Sequence, residues 1–215
     1  MSYLKYFKKG VLTSTLYYRK TNGIIRRYKT VSDSSVNSYI TFVNLNSSKS
    51  YGLEFIIKQD ITKWWNTTLS AYLFQTVIDA NNIKAELQNE NACYLFILIS
   101  NTRIIKNLDI QFAANFNGPT ARAQGLVKQI FSMDLGVKKE IFKNAILSFN
   151  ISDITDTRKM QITANDNNFY QEMSRKRLSL PLTLHIALVN LPKTRGLDRK
   201  SFLVAERKRW ECKGL

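Results

Sequence analysis

The 215 residues, 44% of them hydrophobic with only 8 Gly and 3 Pro and no linker-like stretch, bound the chain to one domain or one piece of a domain. The formal charge of +16 would raise nucleic-acid binding, but the basic residues (Lys8, Lys9, Arg26, Arg27, Lys138, Lys139, Arg175, Lys176, Arg177) are scattered over turns and loops, apart from a basic tail after Lys193, so no nucleic-acid partner is expected. Cys93, Cys212 and the single His185 are too few and too far apart for a metal site, and the longest apolar run, 92–99, falls far short of the ~20 residues of a membrane-spanning helix.

The N-terminus, Met1-Ser-Tyr-Leu-Lys-Tyr-Phe7, has no apolar run followed by a small-residue cleavage site, so no export signal is expected in this chain. Tyr3 to Lys8 is a short strand, and Lys8-Lys9-Gly10 turns it into a long one, Val11 to Tyr28, rich in Thr, Tyr and Ile. The upper half of that strand should project beyond any bilayer. Ser38 to Gln59 returns, with Tyr51, Leu53, Phe55 and Ile57 on one face and Gly52, Glu54, Ile56 and Lys58 on the other. Thr62-Lys-Trp-Trp-Asn66 predicts a tight turn whose Trp64 and Trp65 suit a membrane interface. Tyr17, Tyr18, Tyr72 and Phe74 are further candidates for an aromatic girdle or for loop contacts.

Trp65 to Ile78 climbs and Ala92 to Ile105 descends, and Lys106-Asn107 reverses the chain into Ile110 to Phe116. Leu126 to Phe142 sets Phe131, Met133, Leu135 and Val137 against Ser132, Asp134, Gly136 and Lys138. Phe142-Lys143-Asn144 turns into Ala145 to Ser152, strictly alternating, with Leu147, Phe149 and Ile151 opposite Ser148, Asn150 and Ser152. An outer loop over 164–175 precedes a last strand that aligns Leu178, Leu180, Leu182 and Leu184 on one face. Ser32 to Ser38 and Asn117 to Gln124 are the loops best placed to meet a ligand.

About nine strands with short turns on one side and long loops on the other predict an all-β, antiparallel up-and-down barrel wall that crosses a membrane. Its strands meet the about 9 to 11 residues a transmembrane strand needs, and they start too far apart for a sandwich. A self-contained lipocalin-like barrel with a structural or binding role is the rival, because alternation does not say which face is wet. In the membrane reading Glu54, Lys58, Asp134 and Lys138 face the lumen, while Asp153, Asp156 and Arg158 shape a rim turn, since Asp side chains cap local backbone groups. No catalytic, metal or cofactor constellation emerges, and no enzyme activity is expected.

Asn150-Ile-Ser-Asp-Ile-Thr-Asp-Thr-Arg-Lys159 resembles the Asn-x-Ser-Asp-x-x-(Asn/Asp)-Thr-Arg signature near the C-terminus of TonB-dependent outer-membrane receptors, in the group described as outer membrane beta-barrel family proteins. Other blocks follow in the same order: Ser2 to Gly10 with Tyr17 to Ile25, Asn44 to Gly52 with Glu54, Asn117-Gly-Pro-Thr120 with Gln124-Gly125, Ser132 to Lys139, Phe169-Tyr170 and Arg175-Lys-Arg177. The resemblance covers residues 1–184. It implies a receptor with an export signal, a plug domain and a barrel of about 22 strands, embedded in outer-membrane lipid and driven by an inner-membrane energy-coupling protein for uptake of a nutrient. This chain matches the C-terminal barrel section alone, so the plug and earlier strands are its expected partners, and it is not expected to transport by itself.

After Leu182-Thr-Leu184 such receptors continue Ser-Tyr-Arg-Phe-Gly-Lys, where this chain has His185-Ile-Ala-Leu-Val-Asn-Leu191. One back-translation of those residues, regrouped by a single base, encodes Ser-Tyr-Arg-Phe-Gly-Lys-Leu. The expected division is therefore a partial barrel over 1–184 and a divergent basic tail over 185–215, either out of frame or an ordinary divergent terminus.

Overall fold

The computed structural model describes residues 1–31, 38–85, 87–141, 145–166, 169–176 and 182–188. Among them every regular element is a strand: β1 (Ser2–Phe7), β2 (Gly10–Val31), β3 (Ser38–Asp60), β4 (Trp65–Asp79), β5 (Gln88–Ile105), β6 (Leu108–Asn117), β7 (Thr120–Arg122), β8 (Gly125–Val127), β9 (Ile130–Glu140), β10 (Ala145–Ser152), β11 (Lys159–Asp166), β12 (Phe169–Lys176) and β13 (Leu182–Leu188). Nine form one antiparallel sheet in the order β1-β2-β3-β4-β5-β6-β9-β10-β13, whose two edges do not meet. The other four form a small sheet, β12-β11-β8-β7.

The large sheet is an up-and-down meander because its turns are chemically cheap. Asn107 sits at φ 75 in the β5–β6 hairpin, a left-handed conformation that asparagine tolerates. At the β3–β4 turn the N–H groups of Ile61 and Thr62 both donate to the Trp65 carbonyl, at 3.0 and 3.1 Å.

Cross-strand pairing divides this sheet into two unlike faces. One row reads Leu12, Ile57, Leu69, Leu98, Ala114, Met133; its neighbour on the other face reads Val11, Lys58, Thr68, Ile99, Ala113, Asp134, Ser152. The apolar face is uncovered, and Leu53, Leu69, Leu73, Phe96, Phe149 and Leu184 are all exposed. A single-layer sheet gives those side chains no partner layer, so their burial requires a second apolar phase.

The buried core lies beyond the end of β4 and β5. Leu45, Ile78, Ala80, Ala121 and Ala123 are buried together, with Val43, Ile83 and Leu87 packed against them. This is where the β7–β8 hairpin docks on the long β2–β3 ribbon, which continues past the last β3–β4 pair, Ser47 with Asp79, up to Val31 opposite Ser38. The covered side changes phase on the way. Below Gly23 the exposed large hydrophobic residues of β2 are Leu16 and Tyr18; above it Ile25 is exposed and Tyr28 is buried. Gly23 takes φ 64, and the ladder omits its pair with Asn46 before resuming at Ile24 opposite Leu45, so both strands turn over at the same level.

The structure corrects three local expectations. The strand expected over 126–142 is two, because β8 ends at Val127 and β9 begins at Ile130. The outer loop expected over 164–175 is the β11–β12 hairpin, and the loop Asn117 to Gln124 contains β7. β7 and β8, three residues each, are too short to declare themselves by alternation; pairing between distant hairpins makes them strands, as in Thr163 with Leu126 and Ile162 with Val127. Residues 32–37, the Phe142-Lys143-Asn144 turn, Arg177, Leu178, Leu180 and the tail from 189 lie outside the described residues. β13 runs across the expected boundary at 184, and His185 opposes Ser148 within it.

Candidate functional site

Two features stand out at the end of the sheet where the hairpins dock: a rim turn after β10, and the seat of the small sheet. In the turn, Asp153 is buried at φ 56 and Asp156 stands at φ 50. The Asp153 carboxylate accepts the N–H groups of Thr157 at 3.1 Å and Arg158 at 2.9 Å, while its own N–H donates to Asp134 Oδ1 at 2.9 Å. Arg158 reaches back over β9, donating to Ser132 Oγ at 3.0 Å and pairing with Asp134 at 3.4 Å. Thr157 Oγ1 donates to the Phe131 carbonyl at 3.1 Å, and Lys176 of β12 pairs with Asp156 at 2.5 Å. Each polar residue of the Ser152 to Arg158 run except Thr155 thus bonds or pairs with another strand, and the turn fastens β9, β10 and β12 together.

The four residues expected to line the lumen lie on the polar face. Glu54 stands between Thr15 and Tyr72, Lys58 between Val11 and Thr68, Asp134 between Ala113 and Ser152, and Lys138 between Asp109 and Ser148. Asp134 is joined to Arg158, a pairing within the rim turn. Among the described residues no ion pair joins Glu54 or Lys58 to another charge. Asp109 instead pairs with Arg103 at 2.7 Å.

Gly52 lies between Tyr17 and Phe74 in the ladder, and those two rings meet at 6.4 Å between centroids. A Cβ there would collide with the Leu73 carbonyl and with Phe74 Cβ, so glycine lets the two rings close over the strand. Tyr17, Tyr72 and Phe74 therefore belong to the polar face and not to an outer girdle. The apolar face carries its own aromatics at both ends. Tyr94, Phe96, Phe116 and Phe131 form a chain of ring contacts of 5.7 to 6.5 Å. At the other end Trp64 stacks on Trp65, whose Nε1 donates to Ser100 at 2.8 Å. From Tyr94 to Thr102, the partner of Trp65, is about 26 Å of strand, near the about 25 Å band of a membrane barrel before tilt.

Alternation along the sequence does not mark the seat of the small sheet. Gln124 bonds the backbone of Lys29 through both ends of its amide, each at 2.9 Å, and Lys29 Nζ donates to Gln171 at 2.7 Å. Asn89 Nδ2 donates to the carbonyls of Arg122 and Gly125 at 2.6 and 2.8 Å, and Asn91 donates to that of Pro119 at 2.8 Å. Lys128 donates to Glu172 at 2.8 Å; that hydrogen bond and the charge attraction with it hold the Glu172 carboxyl below the usual carboxylate range and raise Lys128. Asparagines and glutamines are ordinary surface composition until the hairpin carbonyls they meet are known.

Together these features make a wall with one apolar face, one polar face and a braced turn at its end. No curated protein and no solved structure matches the chain. The family model described as the outer membrane protein beta-barrel family matches residues 1–185, and the chain belongs to that family.

Proposed function

We propose that this chain forms the C-terminal wall section of an energy-coupled outer-membrane receptor that takes up a nutrient. The observation that carries the reading is the rim turn from Ser152 to Arg158, which builds the receptor-like signature into a brace at the end of the barrel wall. Among the described residues nothing pairs with the outer edges of β1 and β13 in the nine-stranded sheet, which supports a section of a larger barrel, since an open edge invites a further strand. In this reading the polar face lines a lumen occupied by a plug, the apolar face meets outer-membrane lipid, and the other strands, the plug and the energy-coupling protein are partners. Transport then requires those partners.

The test begins with the DNA upstream of the gene. A reading frame encoding an export signal, a plug and the preceding strands, whose co-expression with this chain gives one receptor complex in the outer membrane, supports the proposal. A chain that by itself, given an export signal, yields a heat-modifiable closed barrel overturns it in favour of a self-contained barrel.

A further inference from the structure

On β2 and β3 the apolar face ends in a pair of lysines. The paired residues of that face run Leu12 with Ile57, Ser14 with Phe55, Leu16 with Leu53, Tyr18 with Tyr51 and Lys20 with Lys49. Leu16, Leu53, Tyr18 and Tyr51 are exposed, and so are both lysines. The short turns, such as the one before Trp65, mark the inner end of a barrel wall, so this is the outer end. From Trp65 to Gln75, the residue opposite Tyr51, β4 spans roughly 33 Å. A barrel tilt of about 40° shortens this to about 25 Å, the height of a lipid-facing band. The tyrosines then stand at the border of that band, where phenol rings suit the headgroup level, and the lysines stand one row above it.

Lysines directly opposite on paired strands repel each other at the roughly 5 Å between their Cβ atoms. Among the described residues neither lysine makes an ion pair. Asp79 lies diagonally above Lys49, but its oxygens accept from Asn46 Nδ2 at 2.7 Å and from the Asn81 N–H at 3.1 Å. Glu90 lies two strands away, opposite Val77, and accepts from Gln75. An anion set between the two ammonium groups removes the repulsion. A lipid phosphate sits at the depth that the long lysine stems reach.

We propose that Lys20 and Lys49 hold the phosphate of an anionic lipid of the outer leaflet, with its acyl chains against the apolar face below. A free phosphate carries the same charge, but the row that continues from the lysines through Tyr18 and Tyr51 to Leu16 and Leu53 fits a ligand with an apolar tail. The site rests on the reading in which the apolar face meets lipid, and it is independent of transport.

For the test, the full chain is refolded in maltoside micelles doped with equal amounts of phosphatidic acid and phosphatidylcholine of the same acyl chains, and retained lipid is counted by native mass spectrometry. Preferential retention of one phosphatidic acid per chain is expected. K20Q and K49Q should each reduce that preference about fivefold, while R19Q, on the opposite face of β2, leaves it unchanged. Without phosphatidic acid K20Q should raise the urea midpoint, because it removes the like-charge contact, and phosphatidic acid should reverse that order. Equal retention of the two lipids, or equal weakening by R19Q, overturns the lysine site and leaves the apolar face in lipid; retention of neither lipid overturns both. Glycerol 3-phosphate binding as tightly as phosphatidic acid assigns the pair to a soluble anion and overturns the lipid.

Discussion

Gln124 and Lys29 stand 95 positions apart in the chain and are joined by two hydrogen bonds of 2.9 Å, the side-chain amide of one copying the ladder of a strand along the backbone of the other. The contact seats the small sheet on the ribbon. Replacing Gln124 with Ala leaves the Lys29 N–H and carbonyl without that partner in a half-buried place, a cost of about 1 to 3 kcal/mol. Hydrogen exchange should show Lys29 and β7–β8 opening more readily in Q124A while β4 and β5 keep their protection. Equal loss of protection across the large sheet would mean that the seat is part of the global fold.

In the rim turn, Asp153 combines a left-handed backbone with two accepted N–H bonds. Asp153→Ala loses both acceptors and places an alanine at φ 56, which together should cost about 2 to 4 kcal/mol. Asp153→Asn tolerates the backbone and keeps one acceptor, so it should lose less than half as much. Urea unfolding in micelles ranks the two variants, and equal destabilisation would sink the capping account.

Much of this fold was legible in the sequence because one side chain in two reports the environment of a strand. Leu147, Phe149 and Ile151 against Ser148, Asn150 and Ser152 give the two faces of β10 directly. The small sheet was not legible. Gly125, Leu126 and Val127 are three residues long, and what makes them a strand is the meeting with Ile162 and Thr163 far along the chain. In the turn after β10, Asp153 and Arg158 find partners within the turn and on β9, whereas Asp156 meets Lys176 on β12, a pairing between the two sheets that no local pattern announces.

Gly52 and Gly23 make a matched pair of probes. A methyl at Gly52 meets the Leu73 carbonyl and Phe74 at once, whereas at Gly23 it meets nothing and strains only the φ of 64. Gly23→Ala should therefore cost about 1 to 2 kcal/mol, the price of a left-handed alanine. Gly52→Ala must displace a neighbouring strand and separate Tyr17 from Phe74, which should exceed that and impair refolding. A refolding yield in micelles for G52A at or above that of G23A would contradict the close-approach argument.

Leu69 stands exposed midway along the apolar face, opposite Ile57 and Leu98, while Thr13 lies on the polar face between Leu4 and Ile56. Lysine at Leu69 should destabilise the membrane-inserted wall by about 2 to 4 kcal/mol, as charges do near the midplane of a barrel's lipid face. Lysine at Thr13 faces water in the membrane reading and should be near neutral. The comparison is made in lipid bilayers by urea titration. The opposite ranking would put the apolar face inside and favour a soluble barrel.

The Lys128–Glu172 tie gives the small sheet a pH dependence. The folded-state pKa of Glu172 is lowered by its bond to Lys128, so its contribution is present above the ordinary carboxylate pKa and is lost as pH falls through the lowered folded value. Lys128 is raised, so its share is present below the ordinary lysine pKa and disappears as pH rises through the raised one. Both groups are exposed, so the effect is confined to the hairpins and does not govern the large sheet. The Lys128 amide, which donates to the Gln161 carbonyl at 2.8 Å, reports it. After correction for intrinsic exchange, its protection should hold across the neutral range and fall on acidification below the carboxylate range. Glu172→Gln should lower the neutral plateau and abolish the acid step; a step of unchanged size in that variant assigns the titration to another group.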